Sequence, residues 1–176
     1  YNAYLITDKK TVLVETVHND YFDEYLYNLQ CLVDIASIDY LIMNHTELDH
    51  SGSLLKLLEL NPNITVVCTA AAQKYLKSIV NRDFNCLVVK QGDTLNIGET
   101  TLSFVVAPML HWPDSMMTYH PDDKVLFSCD FLGAHFCEPT MLDENIHYPA
   151  RYAEQFAYYY QGIFGPFKPY VLAGLD

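Results

Sequence analysis

The sequence contains few basic residues. Ten lysines and arginines are outnumbered by 22 aspartates and glutamates, which gives a formal net charge of -12 over 176 residues. A surface that binds nucleic acid needs clustered positive charge to replace the counterions of the phosphate backbone. The charge balance therefore argues against a nucleic acid partner.

The sequence also lacks long hydrophobic runs and paired cysteines. No stretch approaches the roughly 18 apolar residues of a membrane span, and the first residues have no basic flank of the kind that precedes a signal sequence. The five cysteines form no Cys-x-x-Cys pair. Scattered thiols in odd number are typical of a reducing compartment, so we expect a cytoplasmic protein with no membrane partner.

The hydrophobic pattern changes along the chain. Residues 2–89 alternate between short buried runs and helical spacing, which favours a partly parallel sheet covered by helices. Residues 95–129 read as short strands joined by turns, which favours an antiparallel sheet. A long aromatic-rich helix follows at 148–164. We therefore predict one α/β (α+β) domain over residues 1–176, and because neither end looks like a finished boundary, we expect it to be part of a longer protein.

Ionisable side chains crowd into one loop. Residues 40–43 predict a buried strand, and the loop directly after it contains His45, Glu47, Asp49 and His50. Like charges at such close range repel and cannot all ionise without a counter-charge. A bound metal cation would supply that charge and order the loop.

Two further ionisable residues also follow predicted strands. His111 comes after the strand at 101–107, and Asp130 comes after the strand at 124–129. Each residue alone is compatible with a solvated loop, a buried histidine or a strand-end cap. Together with the first loop they place ionisable groups at the ends of three strands, where open sheets usually carry their sites. We therefore predict a metal site.

The combination of ligands indicates the metal. His45, His111 and Glu47 provide two imidazoles and one carboxylate, which is typical of non-haem iron with open positions. Zinc hydrolases more often use three imidazoles on the first ion. The set favours redox chemistry, and a two-metal zinc hydrolase remains the alternative.

Three motifs resemble those of the flavodiiron proteins. They are residues 45–52 (His-Thr-Glu-Leu-Asp-His-Ser-Gly), 111–116 (His-Trp-Pro-Asp-Ser-Met) and 128–135 (Ser-Cys-Asp-Phe-Leu-Gly-Ala-His). The resemblance implies a metallo-β-lactamase-like αββα sandwich, incomplete at the C-terminal end. It also implies a centre of two iron ions that reduces O2 to water or NO to N2O.

The resemblance assigns roles to individual side chains. The implied ligands are His45, Glu47 and His111 for the first iron, Asp49 for the second, Asp130 as the bridge, and His50 either bound to the second iron or turned away. A histidine that completes the second site in the family lies well beyond Asp130, and His135 and His147 are too near to be that residue. We therefore expect weak binding of the second iron in this chain.

The resemblance also implies partners. FMN is expected on a flavodoxin-like domain outside this chain, with electrons crossing a head-to-tail homodimer and arriving from a donor such as rubredoxin or a flavin reductase. Tyr158, in the helix at 148–164, is the candidate for a hydrogen bond to the bound diatomic molecule, with plain aromatic packing as the alternative. The chain alone is expected to be inactive, and a truncated, non-catalytic domain is a further alternative.

Overall fold

Two β-sheets pack face to face in the computed structural model, which describes residues 2–137 and 145–175. The first sheet has the strand order β1 (Tyr4–Thr7), β2 (Thr11–Val14), β3 (Ile38–Ile42), β4 (Thr65–Cys68) and β5 (Cys86–Val88). The second has the order β6 (Thr94–Asn96), β7 (Thr101–Val106), β8 (Met116–His120) and β9 (Val125–Phe127).

The strand pairing differs between the sheets. In the first sheet β1 and β2 form an antiparallel pair, and β2 to β5 run parallel. Every pair in the second sheet is antiparallel. The predicted change from an alternating strand and helix pattern to short antiparallel strands is confirmed.

Helices cover the outer faces of both sheets. The α-helices are α1 (Phe22–Gln30), α2 (Leu48–Ser51), α3 (Leu54–Leu60), α4 (Ala70–Val80), α5 (Pro149–Tyr159) and α6 (Lys168–Leu175). Short 3-10 turns occupy Asn19–Tyr21, Ile35–Ser37 and Gly165–Phe167, and a π-helical turn occupies Tyr160–Phe164. Within residues 2–137 and 145–175, none of these helices has the length and apolar character needed to cross a bilayer.

Side-chain alternation along the strands creates separate core layers. Val12 and Val14 of β2 face the second sheet, whereas Leu13 between them faces the helices. The outer face of the second sheet packs against α5 and the segments after it, through Met117, Tyr159 and Phe164. The order of layers is helix, sheet, sheet, helix, which confirms the predicted αββα sandwich.

Local signals define the helix that follows β4. Thr69 accepts a hydrogen bond from the amide of Ala72 at 3.1 Å and caps the start of α4. Asn81 ends the helix in the left-handed region with a φ of 52°, a conformation that asparagine tolerates better than most residues. These caps define where α4 begins and ends.

Asn61 closes the turn between α3 and β4 and is buried. Its side-chain amide donates to the carbonyls of Ile35 at 2.8 Å and Ile38 at 3.1 Å, and its Oδ1 accepts from the amide of Asn63 at 3.0 Å. One side chain thus joins the segment that precedes β3 to the end of α3.

We predict that Asn61→Ala lowers the free energy of unfolding by about 2 kcal/mol, because the carbonyls of Ile35 and Ile38 each lose a buried hydrogen bond. Urea denaturation measures this change. The matched control is Asn63→Ala at an exposed position, which should change stability by less than about 0.5 kcal/mol. Equal effects of the two variants would contradict the assigned role of Asn61.

Candidate metal centre

Three segments that follow strands bring a first group of ligand atoms together. Nε2 of His45 lies 3.5 Å from Oε2 of Glu47, and Nε2 of His111 lies 3.4 Å from the same oxygen. Oδ2 of Asp130 lies 3.6 Å from His45 Nε2 and 3.3 Å from His111 Nε2. Separations of this size between donors suit a single ion held among them at about 2.0 to 2.2 Å. These four residues form the first cluster.

A second group shares Asp130 with the first. Nε2 of His50 lies 3.2 Å from Oδ1 of Asp130 and 3.4 Å from Oδ2 of Asp49. The two oxygens of Asp130 therefore face different clusters: Oδ2 faces the first, and Oδ1 faces the second, made of Asp49, His50 and Asp130. A carboxylate in this position can bridge two neighbouring ions.

The site contains buried polar atoms whose hydrogen-bonding capacity is unused. His45 Nε2 and Asp49 Oδ1 are buried and make no hydrogen bond within the described part of the chain. Such atoms are rare in native proteins because each costs desolvation free energy. A cation held in the first cluster would engage His45 Nε2, so the residues present fit a metal ion.

The carboxylates hold the histidines in a field that favours positive charge. Burial lowers the pKa of His50, but its contacts with Asp130, Glu15 and Asp49 outweigh burial and raise the pKa to about 9. Burial alone would raise the pKa of Asp130, whereas hydrogen bonds and charge from His111, His50 and His45 bring it well below the usual range. Without a metal ion, protons on imidazoles supply the charge that cations would supply when bound.

Asp114 orients the imidazole ring of His45. This carboxylate is fully buried, and its Oδ2 accepts hydrogen bonds from His45 Nδ1 at 3.1 Å and from the amide and hydroxyl of Thr46, both at 2.8 Å. With Nδ1 engaged in this way, Nε2 is the nitrogen of His45 that faces the first cluster. A carboxylate behind a metal-binding histidine fixes the ring and raises its basicity.

Glu15 has the corresponding position behind His50. It follows β2 with a φ of 66° and is buried, and its Oε1 accepts from the amide of Asn44 at 2.7 Å. Its Oε2 makes no hydrogen bond to any described residue and lies 3.6 Å from His50 Nδ1. Burial raises the pKa of Glu15 to about 7, against the lowering effect of His50. Nε2 of His50 is thereby turned toward Asp49 and Asp130 and not away from them.

Aromatic rings line the first cluster. The rings of Trp112 and His45 are 5.0 Å apart, and those of Phe164 and His111 are 6.0 Å apart. Tyr159 is buried, and its hydroxyl interacts with Asp130. Burial and the charge of Asp130 raise the pKa of Tyr159 and keep the hydroxyl protonated. Tyr158, the residue predicted from the sequence, is 76% exposed and lies on the outside of α5, so the position beside the metal centre belongs to Tyr159.

The structure brings all six predicted ligands into the two clusters, and it places Glu15, Asp114 and Tyr159, which are outside the predicted set, directly beside them. Glu15 had a detectable signal, since a carboxylate directly after the apolar residues 12–14 is unusual at a buried strand end. Asp114 could also have been found from the sequence, because it lies three residues after His111. The choice of Tyr159 over Tyr158 depends on the rotation of α5, which the sequence pattern alone did not define.

Comparison with known proteins agrees with this geometry. A family model described as ODP family beta lactamase matches residues 1–162. The flavo-diiron protein FprA2 of Clostridium acetobutylicum is 54% identical over the whole chain, which covers 44% of that protein. The anaerobic nitric oxide reductase flavorubredoxin of Vibrio vulnificus is 44% identical, again over the whole chain, which covers 36% of it.

Solved structures give the same result. The rubredoxin oxygen:oxidoreductase of Desulfovibrio gigas superposes with a TM-score of 0.93 at 36% identity, over 99% of this chain and 44% of that one. The flavodiiron protein of Giardia intestinalis has a TM-score of 0.93 at 34% identity, over 99% of this chain and 43% of that one. The chain thus spans less than half the length of these relatives. The resemblance noted in the sequence is confirmed, and the chain belongs to the ODP beta-lactamase family as a metallo-β-lactamase-like domain of the flavodiiron type.

Proposed function

We propose that the complete protein is a di-iron oxidoreductase that reduces O2 to water, or NO to N2O, with electrons from a flavin. The single observation that carries this proposal is the position of Glu47 between His45 and His111, with one oxygen within 3.5 Å of both imidazoles. A carboxylate at this position adds negative charge and a hard oxygen donor, which favours the oxidised state of iron. Three imidazoles would favour zinc and hydrolysis.

The chain holds two ions through one shared carboxylate. His45, Glu47 and His111 would hold the first ion, Asp49 and His50 would hold the second, and Asp130 belongs to both groups. When bound, the iron pair supplies adjacent open positions and electrons for the diatomic substrate. The protein keeps the ligands in place through the buried carboxylates Asp114 and Glu15.

Residues around the pair control water and protons. Trp112 and Phe164 cover the imidazoles of His45 and His111 with apolar rings, and such a covering limits the access of water to the reaction. Tyr159 holds a proton at its hydroxyl beside Asp130. From there it can donate a hydrogen bond to a substrate oxygen on that side of the pair.

The cofactor and partners of the complete protein follow from the same proposal. In the complete protein FMN on a further domain would be the source of electrons in a head-to-tail homodimer, and rubredoxin or a flavin reductase would be the donor to the flavin. Two relatives carry the words flavorubredoxin and rubredoxin in their names, which supports a rubredoxin-like donor. The net charge of -12 and the scattered thiols support a cytoplasmic enzyme that binds neither nucleic acid nor membrane.

Metal analysis of the complete protein, purified without oxygen, tests the proposal. We expect iron, together with consumption of O2 or NO when reduced flavin or rubredoxin is supplied. Glu47→His should shift the bound metal toward zinc and abolish reduction. Zinc in the unaltered protein, together with esterase activity and no reductase activity, would overturn the proposal in favour of a two-metal hydrolase.

Substitution of the two carboxylates that orient the histidine ligands should affect the two iron-binding steps separately. We predict that Asp114→Asn weakens binding of the first Fe2+, and that Glu15→Gln weakens binding of the second, each by about 10- to 100-fold, because each removes the carboxylate that orients one histidine. Anaerobic titration of the metal-free protein with Fe2+ measures both steps.

Each of these variants is the control for the other, and Asp83→Asn at an exposed position controls for the loss of charge alone. Asp83→Asn should leave both binding steps unchanged. If Asp114→Asn and Glu15→Gln weakened the same step equally, the separate assignment of the two carboxylates would be wrong.

The two neighbouring tyrosines give a matched pair for catalysis. We predict that Tyr159→Phe lowers kcat about tenfold at unchanged iron content, since one hydrogen bond in the transition state is worth about 1.4 kcal/mol. Tyr158→Phe removes an exposed hydroxyl and should leave kcat unchanged. Steady-state reduction of O2 and NO by the complete protein measures both effects, and a larger effect at Tyr158 would return the role to that residue.

A further inference from the structure

Two cysteines face each other away from the metal ligands. Cys68 is the last residue of β4 and Cys86 is the first residue of β5, and their Sγ atoms are 3.6 Å apart. Neither is in a disulfide in the structure. The remaining cysteines have no comparable thiol neighbour within the described residues: Cys31 and Cys137 are exposed, and the contact of Cys129 is with His50.

The two thiols have different surroundings. Cys68 is completely buried in the core between the first sheet and its helices. Cys86 is only partly buried, and β5 has β4 as its one partner among the described strands. Solvent and small solutes can therefore approach Cys86 from the edge of the sheet, whereas Cys68 has no exposed surface.

The neighbours of Cys86 favour its thiolate. The thiols of Cys68 and Cys86 share a hydrogen bond, and Gln73 and Lys77, one turn apart on α4, add a hydrogen bond and a positive charge beside Cys86. These contacts lower the pKa of Cys86, whereas the same hydrogen bond and burial raise the pKa of Cys68. An accessible thiolate beside a protected thiol is the arrangement in which one sulfur attacks and the other resolves.

We propose that Cys68 and Cys86 form a peroxide-sensitive dithiol that closes reversibly to a disulfide. The Cys86 thiolate attacks one oxygen of hydrogen peroxide, the O–O bond breaks, and the departing hydroxide takes a proton to leave as water. Cys86 is now a sulfenic acid. The Cys68 sulfur then attacks Sγ of Cys86, the S–O bond breaks, and the Cys68 proton leaves with the oxygen as a second water. Two thiols are oxidised and one peroxide is reduced to two waters.

Closing the bridge requires the backbone of one strand to move, because diagonal positions of neighbouring strands are about 7 to 8 Å apart and a disulfide spans less. The sulfurs must approach from 3.6 Å to about 2.05 Å, and the two cysteines occupy diagonal positions of neighbouring strands, since the partner of Cys86 in the ladder is Val66. Side-chain rotation and a shift of the three-residue edge strand β5 can provide this movement. The buried strand β4 stays between its two neighbours.

The position of Cys68 links this dithiol to the metal centre. Thr69 follows directly, and its hydroxyl donates to the carbonyl of Asp114 at 2.9 Å. The carboxylate of Asp114 accepts from His45 Nδ1. A change at Cys68 therefore lies one residue and two hydrogen bonds away from His45. The dithiol itself does not depend on the proposed reductase function, because its chemistry needs only an external peroxide.

Peptide mapping after peroxide treatment tests the proposal. The complete protein is reduced, freed of metal with a chelator to suppress radical chemistry, and treated with an equimolar amount of hydrogen peroxide. Digestion without reductant should yield a linked pair of peptides containing Cys68 and Cys86, and thiol reductants should reverse the link. We expect this link to form about tenfold faster than oxidation of exposed Cys31, because the thiolate is the reacting form.

Three variants complete the test. Cys68→Ser should leave a sulfenic acid on Cys86 that dimedone traps, Cys86→Ser should protect Cys68 from oxidation, and Cys31→Ser should leave the link unchanged. Oxidation of Cys31 and Cys137 while Cys68 and Cys86 remain thiols would overturn the proposal. So would stable sulfenic acid on Cys86 in the unaltered protein, since Cys68 would then fail to resolve it.

Discussion

The structure depends on the placement of one carboxylate, Asp130, among three imidazoles. Its two oxygens lie 3.2 to 3.6 Å from the Nε2 atoms of His45, His50 and His111. In a partly buried site these attractions are much stronger than in water, and they offset the desolvation that burial imposes on each group. The other features of the centre either position one of these four side chains or fix its orientation.

The αββα sandwich delivers these groups because strands from both sheets end on the same side. The first sheet supplies the loop after β3, and the second sheet supplies the segments after β7 and β9. In the described part of the chain, neither sheet alone supplies a complete cluster. A centre built across the interface of two sheets needs both to be folded, which couples metal binding to the global stability of the domain.

The sequence was sufficient to predict the layers and to select six side chains that the structure brings together, because strand ends and ionisable residues are both visible in the hydrophobic pattern. It was insufficient wherever the answer depended on rotation or on partners distant in the chain. Tyr158 and Tyr159 are neighbours in one aromatic run, and only the packing of α5 decides which one turns inward. The role of Glu15 depends on its contact with His50, which lies 35 positions later in the chain. No local sequence pattern predicts that contact.

Asn44, directly before His45, fastens the two sheets together. Its backbone amide donates to Glu15 and its carbonyl accepts from the amide of Met116, while its side chain donates to the carbonyl of Phe127 and accepts from Thr118. One buried residue thus spans from β3 to β8 and β9, beside the centre itself. Sliding of one sheet over the other would break the three bonds to Met116, Phe127 and Thr118 at once. The polypeptide itself therefore sets the distance between the ligand-bearing segments of the two sheets. A cation that binds there must fit that distance.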